Sequence, residues 1–141
     1  MNKLTDSREI RSNILLLSIC YLVSYLTRIN FGAVITAIVE QTGMTKTMLS
    51  SAVTGSAITY GLGQILCGYI GDRISPKRLV FSGLLITVAM NLLIPLCQNH
   101  VQMTAVWCIN GFAHSMLWPP IVRLMSTHLN DTEYNYAMVR M

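Results

Sequence analysis

A single charged residue interrupts the first long apolar stretch of the sequence. Arg28 is the only Asp, Glu, Lys or Arg among residues 13–39. A guanidinium near the middle of a membrane-spanning helix cannot easily reach either surface, and such a charge is normally paired or faces a wet cavity. Its planar fork suits a phosphate or carboxylate better than a lysine ammonium does. The chemistry that Arg28 could do is therefore the binding of an anion.

Arg28 has no carboxylate partner within the four apolar segments of the sequence. Three interpretations follow. Arg28 could form a site that an anion fills and leaves, it could pair with a helix outside these residues, or a shorter span could leave it at the membrane interface. We favour the anion site, because hydroxyl and ring side chains accompany the arginine at helical spacing.

These accompanying side chains recur four residues apart, which places each pair on one face of a helix. One such residue alone is typical of a packing position. Together they would line a polar cavity from three helices around one fixed positive charge. The predicted substrate-binding residues are Tyr21, Tyr25 and Arg28 in the first apolar segment, Tyr60 and Gln64 in the second, and His114 and Trp118 in the fourth.

The composition indicates that membrane helices position these residues. Of the 141 residues, 52% are apolar and 11% are charged, whereas about a quarter are charged in a soluble domain. This balance excludes a disordered or nucleic-acid-wrapping protein. Four segments are long enough to cross a hydrocarbon core of about 30 Å. They cover approximately residues 13–39, 49–71, 79–99 and 101–126.

Basic residues in the loops predict the orientation of these spans. Three of them precede the first span and three lie between the second and the third, whereas the loops of the opposite side contribute only Lys46. We therefore expect a multi-pass protein of the plasma membrane with a cytoplasmic N-terminus at residues 1–12. Residues 13–126 would form four transmembrane helices. Residues 127–141 would form a cytoplasmic loop and the start of a truncated fifth helix. A signal peptide over residues 1–30 is the alternative for the first span, but it lacks an obvious cleavage site.

Two features predict how the helices pack. Small residues recur every four positions along the second span and predict a face for close helix contact. This small-residue stripe consists of Ser51, Gly55, Thr59, Gly63, Cys67 and Gly71.

The consecutive residues Trp118, Pro119 and Pro120 predict a bend in the fourth span, because each proline removes a backbone donor and crowds the preceding turn.

The sequence offers no set of residues for catalysis or metal binding. Its four cysteines all lie inside the predicted spans without a metal-ligand spacing, so we interpret them as packing residues. It has no glycine-rich phosphate loop and no combination of nucleophile, base and orienting group. We predict neither an enzyme nor a metal or cofactor site.

The loop at residues 68–78 resembles the signature G-x-x-x-D-R-x-G-R-R, which joins the second and third helices of the major facilitator superfamily. A Ser-Pro pair at 75–76 replaces the usual Gly-Arg, as in the organophosphate:phosphate antiporters related to the glycerol-3-phosphate transporter. In such transporters this loop helps to close the cytoplasmic side. The residues that match or conserve type, and would form the gating loop, are Gly68, Asp72, Arg73, Lys77 and Arg78.

Two further motifs are similar to the same branch of the superfamily. Residues 25–31 read Y-L-T-R-I-N-F, similar to Y-L-x-R-x-N-F on the first helix of that family. Residues 110–111, 118–120 and 123 read N-G, W-P-P and R, similar to a pattern on its fourth helix. The resemblance implies that Arg28 is the phosphate-binding arginine of the N-terminal half, while the other half would supply a second arginine.

Two positions depart from the glycerol-3-phosphate and hexose-phosphate members, which often carry lysines there. Here they are Ile29 and Gln64. The loss of two positive charges makes a less charged organic anion an alternative to a dianionic sugar phosphate. A further departure is Leu117, where the family often has glycine.

The resemblance implies an all-α membrane fold, namely the first four helices of a twelve-helix transporter that works by alternating access. Its expected partners are a small organic anion or phosphate, the lipid bilayer and the missing C-terminal half, with no nucleic acid. The phosphate ester would be exchanged for phosphate. The alternative of another class is a complete four-helix membrane protein that acts as a homo-oligomer or an interaction subunit without transport.

Overall fold

The computed structural model describes residues 6–71 and 73–140, and within these ranges the chain forms helices and no strands. An all-α fold is therefore confirmed. Asp6 caps the first helix by accepting from the Arg8 backbone N–H at 3.0 Å. The helices are α1 (Ser7–Thr42), α2 (Lys46–Gly71), α3 (Pro76–Leu93), α4 (His100–Ser115), α5 (Trp118–His128) and α6 (Asp131–Arg140).

The helix bounds differ from the predicted spans. The first helix is longer at both ends than residues 13–39 and includes residues 7–12, and the second and third helices each begin three residues earlier than predicted. The third span was predicted to continue to residue 99, but α3 ends at Leu93 and a 3₁₀ turn covers Ile94–Leu96. Pro95 explains this end, because proline cannot donate within a continuing helix. The fourth span is divided between α4 and α5.

Two of the described helices are long and apolar enough to cross a membrane by length and composition alone, α1 and the stretch Pro76–Leu96. Helix α2 has 26 residues but is not one of these two; eleven of its residues are glycine, serine or threonine. Helices α4 and α5 span a comparable length only when taken together. These small residues determine how α2 packs.

The small-residue stripe of α2 packs against α4, which confirms the predicted contact face. Thr59 donates to the Cys108 carbonyl oxygen at 2.7 Å, and the Ser51 and Thr104 hydroxyls are 3.1 Å apart. At Gly55, a Cβ atom would lie 2.6 Å from the Cys108 sulfur. Because the two backbones approach this closely, a larger side chain on the stripe would separate them.

The predicted bend is present between α4 and α5, at Met116 and Leu117. Leu117 N–H donates back to the His114 carbonyl oxygen at 3.2 Å, and the helix resumes at Trp118 with both prolines in its first turn. Gly83 of α3 packs against the chain next to the bend, because a Cβ there would lie 2.9 Å from the Ala113 carbonyl oxygen. The bend therefore depends on a glycine of the neighbouring helix as well as on the prolines.

A polar layer separates two apolar clusters of the bundle. One cluster surrounds Leu17, Ile121 and Met125, and it extends to Ala137 of α6. The other surrounds Phe31 and Trp107, whose ring centroids are 4.8 Å apart. The buried Ser24, Asn110 and His114 lie between these clusters along α1 and α4. Polar side chains thus interrupt the apolar interior of the bundle at the level of Arg28.

Candidate functional site

A cavity of about 30 Å³ lies in this polar layer, between α1, α2, α4 and α5. That volume holds water but not a phosphate ester. Six of the seven predicted substrate-binding residues surround it, together with Ser24 and Leu117, which the sequence reasoning did not include. The lining residues are Tyr21, Ser24, Tyr25, Arg28, Tyr60, His114, Leu117 and Trp118.

The guanidinium of Arg28 rests on the ring of Tyr60, with Cζ 4.0 Å from the ring centroid. The seventh predicted residue, Gln64, donates from Nε2 to the hydroxyl of this tyrosine at 2.6 Å. Among the described residues, no carboxylate forms an ion pair with Arg28. A cation held on an aromatic face keeps its N–H groups available for another acceptor. The arrangement therefore presents one fixed positive charge to the cavity.

Aromatic side chains form the wall beside this charge. The ring centroids of Tyr21 and Trp118 are 4.9 Å apart, and those of Tyr21 and Tyr25 are 6.5 Å apart. Trp118 stands at the start of α5, so the bend in the fourth span aims it at α1. Tyr25 remains 51% exposed and borders the cavity without being enclosed by it. The bend therefore helps to build the cavity wall.

His114 closes the cavity between α4 and α1. Its Nδ1 is 2.8 Å from the Asn110 carbonyl oxygen, and its Nε2 is 2.8 Å from the Ser24 carbonyl oxygen. The Thr27 hydroxyl is 3.3 Å from Nε2. Only 4% of the His114 surface is exposed. The imidazole therefore connects two helices through groups of their backbones.

A polar seam beside the cavity was missed by the sequence reasoning. Asn30 donates to the Asn91 side-chain oxygen at 2.5 Å, and Asn91 in turn donates to the Thr87 carbonyl oxygen at 2.9 Å and to that of Thr27 at 3.4 Å. These contacts join α1 to α3 at the level of Arg28. The available signal was Asn91, the one amide side chain within residues 79–94, where Ser82 and Thr87 are the only other polar side chains.

The predicted gating loop lies at the junction of α2 and α3. Asp72 falls outside the described residues. Arg73 donates to the Tyr69 hydroxyl at 2.8 Å, and Lys77 and Arg78 are exposed in the first turn of α3. Gly68 is exposed too, on the last turns of α2. Arg123 of α5 donates to the Gly71 carbonyl oxygen, so α5 contacts the end of α2 next to this loop.

A comparison with protein families matches residues 17–141 to the family described as Major Facilitator Superfamily. The chain belongs to the Major Facilitator Superfamily. This membership agrees with the motif in the 68–78 loop and with the bend at W-P-P. It makes the fold an all-α membrane fold.

Curated relatives of this superfamily member are similar to it at modest identity. The glycerol-3-phosphate transporter of Bacillus subtilis is 32% identical over 118 residues, which cover 81% of this chain and 26% of the relative. A probable hexose phosphate transport protein of Chlamydia muridarum is 27% identical over 113 residues, 80% of this chain and 25% of the relative. The membrane sensor protein UhpC of Salmonella typhimurium is 26% identical over 113 residues, which cover 80% of this chain and 26% of the relative.

The superfamily member spans about a quarter of the length of these curated relatives. No solved structure matches it. Two of these relatives are named for a phosphate ester that they transport, and the third is named as a membrane sensor.

Proposed function

We propose that this chain forms the first four membrane helices of a secondary transporter that exchanges an organic anion, a phosphate ester, for inorganic phosphate. The observation that carries the proposal is Arg28, a guanidinium held on the Tyr60 ring beside a cavity, without a carboxylate partner among the described residues. A charge at this depth is costly and is normally paired. An anion that binds and leaves would pair it only during transport.

The size of the cavity supports a site shared with another part of the protein. A volume of about 30 Å³ is too small for a phosphate ester. In transporters that use alternating access, two halves move around a site at the membrane midplane. The C-terminal half would complete the site and would supply further donors. The basic 73–78 segment would then face that half on the cytoplasmic side of a plasma membrane, with the N-terminus in the cytoplasm.

A second candidate is binding without transport. One relative is named as a membrane sensor, and the same shared site could signal occupancy instead of moving its ligand. A homo-oligomer of four-helix subunits would also complete the site, with a second copy in place of the missing half. These candidates differ in whether the ligand crosses the membrane and in the size of the functional unit.

The first experiment is phosphate exchange by the protein of the complete gene in proteoliposomes. Vesicles loaded with unlabelled phosphate should accumulate radioactive phosphate, and external glycerol 3-phosphate should compete with it. The 141-residue chain alone, reconstituted equally, serves as the comparison and should not exchange. Ligand binding without exchange would favour a sensor. Exchange by the 141-residue chain would favour the oligomer, and neither binding nor exchange would overturn the proposal.

The contact between Gln64 and Tyr60 should contribute to affinity through the position of the Tyr60 ring. Gln64→Leu removes the 2.6 Å hydrogen bond that holds the Tyr60 ring in position. Such a bond contributes about 1 kcal/mol. We therefore expect phosphate affinity to fall roughly fivefold. Tyr60→Phe keeps the ring under Arg28 and should produce a similar loss. The double variant should be no weaker than either single one, as measured by calorimetric titration with phosphate. Additive losses would contradict this coupling.

A further inference from the structure

The imidazole of His114 has a backbone carbonyl oxygen at each of its two ring nitrogens. Nδ1 faces the Asn110 oxygen of its own helix, and Nε2 faces the Ser24 oxygen of α1, both at 2.8 Å. A carbonyl oxygen only accepts hydrogen bonds, and a neutral imidazole carries a single N–H. Both contacts can therefore be hydrogen bonds at the same time only when the ring carries two protons and a positive charge.

The neutral ring has a different partner in Thr27. The Thr27 hydroxyl lies 3.3 Å from Nε2, and in its other orientations it donates to the Val23 or Ser24 carbonyl oxygen at 3.0 or 2.9 Å. It can rotate to donate to an unprotonated Nε2 while Nδ1 keeps its bond to Asn110. In that neutral state Nε2 and the Ser24 carbonyl oxygen are two acceptors 2.8 Å apart, and a second ring proton turns this contact into a hydrogen bond. The two protonation states thus differ by one proton and one hydroxyl rotation.

The groups around the ring determine which state is favoured. Burial of the ring disfavours its charged form, and the charge of Arg28 in the same cavity opposes that form further as long as no anion is bound. No carboxylate lines the cavity among the described residues, and the titratable residues of α3, Lys77 and Arg78, are exposed in its first turn. The other titratable groups of the lining are the phenols Tyr21 and Tyr25 on α1 and Tyr60 on α2.

We propose that His114 binds a proton when an anion fills the site at Arg28, so that phosphate binding is coupled to proton uptake. This inference rests on the proposed function. The proton comes from solvent and adds to Nε2, and the only new covalent bond is that N–H. Because the anion favours the charged ring, phosphate binding should strengthen as the pH falls through the titration of His114. His114 would thereby supply the second positive charge that neither Ile29 nor Gln64 provides.

Proton uptake is measurable by calorimetry on the protein of the complete gene. Phosphate is titrated near neutral pH into the protein in two buffers that differ in ionisation enthalpy, for the wild type and for His114→Gln. The protonation of phosphate itself is common to both proteins and cancels in the difference. We expect the wild type to take up more protons than His114→Gln, by up to about one per phosphate. Equal uptake in both would overturn the proposal.

Thr27→Val supplies the matched variant. It removes the hydroxyl that can donate to the neutral ring, so a larger fraction of His114 should be charged before phosphate arrives. Proton uptake should then be smaller than in the wild type, and phosphate affinity should depend less on pH. Uptake equal to that of the wild type would contradict the role assigned to the Thr27 hydroxyl.

Nuclear magnetic resonance of labelled histidine tests the wild type without any substitution. The ring nitrogens of His114 should change from the neutral to the doubly protonated signal when phosphate is added, with His100 and His128 as references in the same protein. A ring that stays neutral, or is charged throughout, would overturn the coupling alone. If phosphate does not bind to the wild type, the proposed function fails and the coupling fails with it.

Discussion

Arg28→Lys should nearly abolish phosphate exchange and lower phosphate affinity by roughly 100-fold, although it keeps the positive charge. A hydrogen bond to a charged group contributes about 1.5–3 kcal/mol, and each 1.4 kcal/mol is a factor of about ten in affinity. Lysine loses the paired donors of the guanidinium fork. It also loses the flat contact with the Tyr60 ring, where Cζ of Arg28 lies 4.0 Å from the centroid.

The matched control for this substitution is Arg11→Lys on the same helix. Arg11 is exposed near the start of α1, so its replacement should leave exchange and affinity unchanged. Both variants are compared in phosphate exchange and in calorimetric binding, after their circular dichroism has been shown to match the wild type. Wild-type affinity and uptake in Arg28→Lys would overturn the anion site.

The parts of the site that the sequence predicts are those with a strong local signal. Arg28 is recognisable because it is the only charged residue within residues 13–39, and the prolines at 119–120 predict the bend. The regular spacing of small residues on α2 similarly identifies a contact face. Each of these signals can be read from one helix alone, because it depends on burial depth, backbone chemistry or a repeat along one segment.

The polar contacts between helices at the level of Arg28 could not be predicted in the same way. Asn30 and Thr27 on α1 contact Asn91 on α3, and Thr27 also contacts His114 on α4. Single uncharged polar residues in apolar helices have no periodicity, and which of them meet depends on the relative rotation of three helices. The end of α3 at Leu93 was also missed, since the apolar stretch continues past Pro95 and hydropathy alone does not register the lost donor.

The small-residue contact between α2 and α4 can be tested with two glycine-to-alanine substitutions. One is expected to stabilise the protein and the other to destabilise it. Alanine in place of glycine within a helix normally stabilises it by up to about 1 kcal/mol. At Gly61, a Cβ meets nothing within 4 Å, so Gly61→Ala should follow this rule. At Gly111, a Cβ would lie 2.7 Å from the Thr59 hydroxyl oxygen and would overlap the backbone carbonyl of Ser56.

Gly111→Ala should therefore destabilise the bundle, because a backbone carbonyl cannot rotate away as a side chain can and α2 must move from α4. Overpacking of this kind typically costs about 1–3 kcal/mol, which lowers the melting temperature of a protein of this size by several degrees. Thermal unfolding of the detergent-solubilised variants, followed by circular dichroism, measures both. The Tyr60 ring that carries Arg28 stands on α2, so phosphate affinity should fall with the melting temperature in Gly111→Ala and stay at the wild-type value in Gly61→Ala. Equal melting temperatures for the two variants would show that the close approach of α2 and α4 is not what holds the site together.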